Sequence, residues 1–236
     1  MSLMAGAMIP CIAHAQAVKP SVVILNELIL PSIDADGTAF FSLTPPSHLS
    51  GSSRGRYRGH FVLTPNTNAY PFVADASSST GSNSSPLQFQ WSYFVGNDSD
   101  GDFYPLMGPS TSPYFTNEPP SLNSSTAREM VLDVSNGSTS ERLWFGVVTL
   151  TPQAATDAII AWLDARYPKL TSRAQRKLLP PLREASAHFA AGETDLAKES
   201  LDLFLRKLKL SRLPLTGGEA RVFKALSRAI IETAAD

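Results

Sequence analysis

At Leu150 the hydrophobic period of this chain changes, and no other feature limits the fold as much. Before it, apolar and polar residues alternate, which is the mark of half-buried strands; after it, apolar residues recur at helical spacing. In Leu87–Val95 the residues Leu87, Phe89, Trp91, Tyr93 and Val95 fall on one face and Gln88, Gln90 and Ser92 on the other. That pattern predicts a half-buried strand of an antiparallel sheet. Further strands are expected over Val22–Leu30, Thr38–Leu43, Tyr57–Leu63, Tyr70–Asp75, Phe103–Met107, Glu129–Val134 and Arg142–Leu150, about eight in all. Turn-forming sequences join them, among them Asp34-Ala-Asp-Gly37, Pro45-Pro46, the Ser-rich stretch Ser77–Ser85, and Asn136-Gly137, a hairpin signal. With no helical pattern between the strands, residues 21–150 are expected to form an antiparallel β-sandwich, jelly-roll-like in its many short strands.

The second half reads as helices. Thr151 can cap a first helix with Pro152 at its opening position, and Ala155, Ile159, Trp162, Leu163 and Tyr167 mark its apolar face. A second begins near Thr171 or Ser172 and carries Leu178, Leu182, Ala185 and Phe189; Pro180-Pro181 should kink or break it, and Gly192 should end it. A third, from about Thr194 to Leu210, has an apolar stripe of Leu196, Leu201, Phe204, Leu205 and Leu208. Thr216-Gly-Gly-Glu219 is a capping box opening a fourth, whose face is Val222, Phe223, Leu226, Ile230 and Ile231. Short connections suit a bundle of about four helices. The expected class is therefore α+β in segregated halves. Residues 1–20 form an apolar N-terminal arm, 21–150 the β-sandwich domain and 151–236 the helical bundle domain.

Charge divides at nearly the same place. The net charge is −1, which argues against a dedicated nucleic-acid protein. Residues 1–168 hold 7 Lys and Arg against 13 Asp and Glu, a net of −6, while residues 169–236 hold 13 against 8, a net of +5. Opposite fields of that kind favour attraction between the two halves, or between neighbouring copies, although each half can also simply be solvated. The single cysteine, Cys11, excludes an internal disulfide. No run is long enough to span a bilayer. Met1–Ala17 is apolar and ends in Ala13-His14-Ala15, like a secretory cleavage site, but lacks a basic residue before its apolar part. An arm that packs on this chain or on a neighbour is the plainer reading.

Four groups could carry function. Asp98, Asp100 and Asp102 alternate as the first oxygen ligands of a calcium loop do. The rest of that pattern fails, since Gly101 comes too early and Pro109 stands where a bidentate Glu belongs. Calcium is the one cofactor suggested, with a solvated acidic turn as the alternative. Arg54, Arg56, Arg58 and His60 would share one strand face and could bind an anion or glycan. Arg206, Lys207, Lys209 and Arg212 form the densest basic cluster, placed to contact nucleic acid or an acidic protein or to compensate a helix dipole. Asn83, Asn97, Asn123 and Asn136 each open an N-x-[ST] triplet. The four histidines are scattered, and no phosphate-binding, dinucleotide or nucleophile-elbow motif is present. No catalytic residue is assigned, and no enzyme activity is expected.

Two resemblances follow. The stretches Gln88-Phe-Gln-Trp-Ser-Tyr-Phe94 and Arg58-Gly-His-Phe-Val-Leu-Thr-Pro65, set among Ser/Thr/Asn/Pro loops with almost no lysine, resemble coat-protein domains of small RNA viruses, especially protruding β-sandwich domains. That likeness covers about half the chain. It implies a structural role in a shell, with receptor or glycan contact through exposed loops. Leu170–Thr233 is similar in layout to the FIMAH helical domain of secreted bacterial proteins. Its carriers are Ala190-Ala-Gly-Glu193, Leu201-Asp-Leu-Phe204 and Leu215-Thr-Gly-Gly-Glu219, and it departs at Pro180-Pro181 and in its basic charge. The expectation is a self-assembling virion coat or capsid surface component. It would contact its own copies or other coat subunits, a glycan receptor through the loops, and nucleic acid through the basic half. The alternative is a secreted bacterial adhesion or carbohydrate-binding module.

Overall fold

The computed structural model describes residues 17–65, 72–81, 85–95, 101–117, 126–166, 172–210 and 215–234. In chain order the elements are β1 (Val18–Lys19), β2 (Val23–Ile24), a short helix α1 (Gly51–Arg56), β3 (Arg58–Leu63), β4 (Phe72–Asp75), β5 (Thr80–Gly81), β6 (Gln88–Val95), β7 (Asp102–Ser110), β8 (Tyr114–Asn117), β9 (Thr126–Ser135) and β10 (Ser140–Leu150). Four longer helices follow: α2 (Pro152–Arg166), α3 (Ser172–Ala191), α4 (Thr194–Leu210) and α5 (Gly217–Thr233). The chain is thus α+β, with a strand-rich first half and a helical second half.

Local signals set many of these boundaries. Ser135 pairs with Ser140 across the β9–β10 hairpin, and Gly137 sits at φ +83°, where a side chain would strain the turn. Asn136 is 2% exposed, and its Oδ1 accepts hydrogen bonds from the backbone N–H groups of Ser138 and Thr139. Its amide nitrogen is buried, so this triplet is out of reach of glycosylation. The other three triplets lie outside the described residues. The Ala154 N–H donates to Thr151 Oγ1 at the start of α2. Gly192, at φ +76°, ends α3 while the Glu193 N–H donates back to the His188 carbonyl. At α5 the capping box is complete, with the Glu219 N–H donating to Thr216 Oγ1 and the Thr216 N–H to Glu219 Oε2.

The largest sheet has the order β3-β10-β9-β6-β7, and a three-stranded sheet has the order β2-β4-β8. Ile24, Phe72, Ala74 and Phe115 of the small sheet share one buried cluster with Trp91, Met130, Leu132, Val134, Phe145 and Val147 of the large one. Trp91 is fully buried there and stacks on Phe115 at 5.2 Å. Burial of side chains this large stabilises by roughly 1.5–3 kcal/mol each. One ladder is not antiparallel: β3 runs parallel to β10 along the sheet edge.

Over β6, β9 and β10 the large sheet is covered on both faces, which corrects the half-buried reading of Leu87–Val95. Ser92 and Phe94, on the expected polar side, are buried, while Val95 is 53% exposed. Leu49, Tyr57, Phe94, Val131 and Trp144 form a second cluster on that side. The cover there comes from residues 43–57, and residues 25–43 do not form the two long strands expected. Only Val23–Ile24 forms a ladder there, and Thr38–Leu43 forms none. Leu28, Leu30, Phe40 and Phe41 turn aside to pack on the helical core, and Leu43 bridges that core and the second cluster.

The helices and the sheet share a core. Leu63, Val148 and Leu150 belong to the same cluster as Ala155, Ile159, Leu163, Leu178, Leu182, Phe204 and Phe223. α3 runs on through Pro180-Pro181 instead of breaking. Each proline removes one backbone donor, but Leu178, Leu179, Pro181, Leu182, Ala185 and Phe189 are all buried around them, and that packing outweighs the loss.

Candidate functional site

The apolar stripes of α4 and α5 are wider than the bundle can cover. Leu201, Phe204, Val222, Phe223, Leu226 and Ile230 are buried, whereas Leu205, Leu208 and Ile231 remain half-buried and Leu196 is 45% exposed. Leu205, Leu208, Ala220 and Ile231 line a groove of about 910 Å³ between the two helices. Its cationic side chains are Arg206 and Lys209 from α4 and Lys224 and Arg228 from α5. Glu199, Asp202 and Glu232 stand among them. Ala220, Lys224, Arg228 and Glu232 follow at intervals of four, so one face of α5 is presented to the groove. Among the described residues none of the four cations forms an ion pair. Four cations against three carboxylates leave the rim of this apolar floor only slightly positive.

The expected basic cluster is therefore split. Arg206 and Lys209 line the groove, Lys207 does not, and Arg212 lies outside the described residues. Lys224, Arg228 and the half-buried leucines complete the site, and reading α4 alone misses them. The missed signal is the four-residue spacing on α5.

The expected Arg-His stripe is not a strand face. Arg54 and Arg56 lie in α1, and only Arg58 and His60 lie in β3. Arg56 pairs with Glu141 at 2.8 Å, and Arg58 donates to the Tyr57 carbonyl at 2.9 Å. His60 contacts Glu27 at 3.0 Å and the Phe145 ring edge-on, on the face that continues to the fully buried Val62. Alternation identifies two faces but cannot say that both are covered. Of the acidic run, Asp98 and Asp100 lie outside the described residues, and Asp102 is exposed at the start of β7. No group of three metal-ligating side chains occurs among the described residues.

A second polar group lies on the sheet under residues 43–57. His48 Nε2 and Glu129 Oε2 are 3.6 Å apart, and the His48 ring sits against Phe94 and Trp144. Burial raises the Glu129 carboxyl above its usual range. Burial, and secondarily the Glu129 charge, pushes Tyr57 up to about 12. These residues are far apart in sequence and carry no shared motif. The cluster is closed beneath aromatic side chains, so a structural role suits it better than contact with substrate.

No family model matches the chain, and no curated protein matches it. Among solved structures, the chain is similar to one described as a sialyltransferase from Photobacterium damsela, with 13% sequence identity and a TM-score of 0.25. That match covers 48% of this chain and 24% of the other. A TM-score that low sets neither fold nor activity for this chain. No helix among the described residues is long and apolar enough to cross a membrane.

Proposed function

We propose that this chain is a non-enzymatic structural protein that assembles with its own copies, as a virion coat or capsid surface component does. The observation that carries this reading is the α4–α5 groove, lined by half-buried apolar side chains and by cations that form no ion pair among the described residues, on a chain whose strand-rich half is acidic. The core shared by the two sheets supports a β-sandwich with a helical bundle after residue 150, although the parallel β3–β10 pair departs from an all-antiparallel jelly roll. Contact with a glycan receptor through loops, and with nucleic acid through the basic half, belongs to the same proposal, as does a virion location.

Sedimentation velocity over a range of concentration and salt tests it. Mass that rises with concentration and falls with added salt is expected. A monomer under every condition overturns the reading.

A secreted adhesion or carbohydrate-binding module is the second reading. The observation favouring it is a group on the outer sheet face, where Phe103 is 42% exposed beside the Arg142–Asp133 pair. Arg142 lies over the Phe103 ring at 4.5 Å, so a sugar would have to displace it.

A further inference from the structure

Resting on that reading of self-assembly, we infer that the α4–α5 groove is a two-fold contact: it packs on the same groove of a second copy, with the helices of one copy antiparallel to their counterparts in the other. The charges of the groove are sorted along its length. On α4 the carboxylates Glu199 and Asp202 come first, and Arg206 and Lys209 follow. Successive spacings of three, four and three residues set all four on one face. Only residues 211–216 join α4 to α5, and so short a connection sets neighbouring helices antiparallel. Lys224 therefore falls at the end that holds Arg206 and Lys209, and Glu232 at the end that holds Glu199, with Arg228 between. One end of the groove is basic and the other acidic. All seven side chains are exposed, and among the described residues none is in an ion pair.

A surface with opposite charges at its two ends is its own complement when turned end for end. Glu199 with Lys209, and Asp202 with Arg206, are symmetric about one level of α4, that of Phe204. A two-fold axis running across the helices at that level lays α4 on α4 and α5 on α5. It brings Glu199 to Lys209 and Asp202 to Arg206 of the other copy, and each pair forms twice. An axis running along the helices would instead set acid on acid and base on base. Exposed ion pairs contribute little each, so the charges fix the alignment more than the affinity. Leu205, Leu208 and Ile231, half-buried between the charged ends, supply the apolar area that contact would bury. A two-fold contact is used up in a pair, so this groove makes dimers and a larger assembly needs a second surface.

Full-length chains carrying Cys11→Ser and one new cysteine test the alignment. Glu199→Cys and Lys209→Cys are prepared separately and mixed under mild oxidation. The disulfide between unlike chains is expected, with little of either like pair. Charge reversal tests the pairing. Arg206→Glu with Lys209→Glu makes this face of α4 wholly acidic, and Glu199→Lys with Asp202→Lys makes it wholly basic. Each variant alone should self-associate at least tenfold more weakly than the wild type, and an equal mixture of the two should recover the wild-type affinity. Like-pair disulfides, self-association that neither reversal weakens, or a mixture of folded variants that associates no better than its parts overturns the two-fold contact and leaves the assembly reading standing. A wild-type chain that stays monomeric overturns both.

Discussion

His48 and Glu129 face each other at 3.6 Å beneath Phe94 and Trp144, and neither His48 Nε2 nor Glu129 Oε2 has a hydrogen-bond partner. The segment carrying His48 thus lies on the sheet through a carboxylate that burial holds partly out of water. Such a group has a cost at neutral pH. Because the folded-state pKa of Glu129 is raised, its contribution to stability is present below the unfolded value and is lost as pH rises through the folded one. Glu129→Gln should therefore stabilise the chain at pH 7 by about 1 kcal/mol. It should also flatten the fall in stability as pH rises from the unfolded carboxyl value toward neutral. Urea unfolding of both proteins across that range measures it, and a destabilised variant at pH 7 would count against the unpaired-carboxylate account.

Tyr57 responds at the other end of the scale. Its phenol is pushed up to about 12, first by burial and then by the Glu129 charge. Again the folded value is raised, so its contribution is intact below an unfolded pKa of about 10 and is lost as pH rises through the folded value. Alkaline unfolding is expected between those limits. Tyr57→Phe, which cannot ionise, should shift that transition upward, as followed by circular dichroism against phenolate absorbance.

Two adjacent glycines should behave in opposite ways. A Cβ on Gly218 would meet the Ile33 carbonyl oxygen, whereas one on Gly217 would meet nothing within 4 Å. Gly218→Ala must move backbone that packs on α5, and a loss of about 1–3 kcal/mol is expected. Gly217→Ala gains helix propensity and should be neutral or better, by up to about 1 kcal/mol. Thermal denaturation of the pair measures the difference, and equal effects would remove the close approach of Ile33 as its cause.

The capping box supplies an internal comparison. Thr216→Ala removes the acceptor for the Glu219 N–H and should cost about 1 kcal/mol. Thr216→Ser keeps the oxygen and should restore most of it. A serine variant as unstable as the alanine one would show that the threonine methyl, not the cap, matters there.

Glu219 and Gly218 also mark how far the sequence could be read. Thr216-Gly-Gly-Glu219 announces a helix start, and the cap forms as read. That Gly218 must also be small follows from Ile33, which no local pattern connects to it. The groove shows the same limit. The leucines of α4 and Ile231 of α5 were legible as apolar stripes, but which of them remain uncovered depends on how the helices pack.

The sequence by itself determined the change of period at Leu150, the caps at Thr151 and Thr216, the Asn136-Gly137 turn, the stop at Gly192 and the charge division. All are local or additive properties, carried by a few neighbouring residues or by simple sums of charge. Tertiary structure alone decided that residues 43–57 would cover the sheet while Leu28, Leu30, Phe40 and Phe41 pack on the helical core, and that β3 would join β10 in parallel. It alone placed Arg54 and Arg56 on a helix, carried α3 through two prolines, and brought His48 to Glu129. Each of these depends on contacts between distant residues, where burial of apolar surface outweighs local backbone preference.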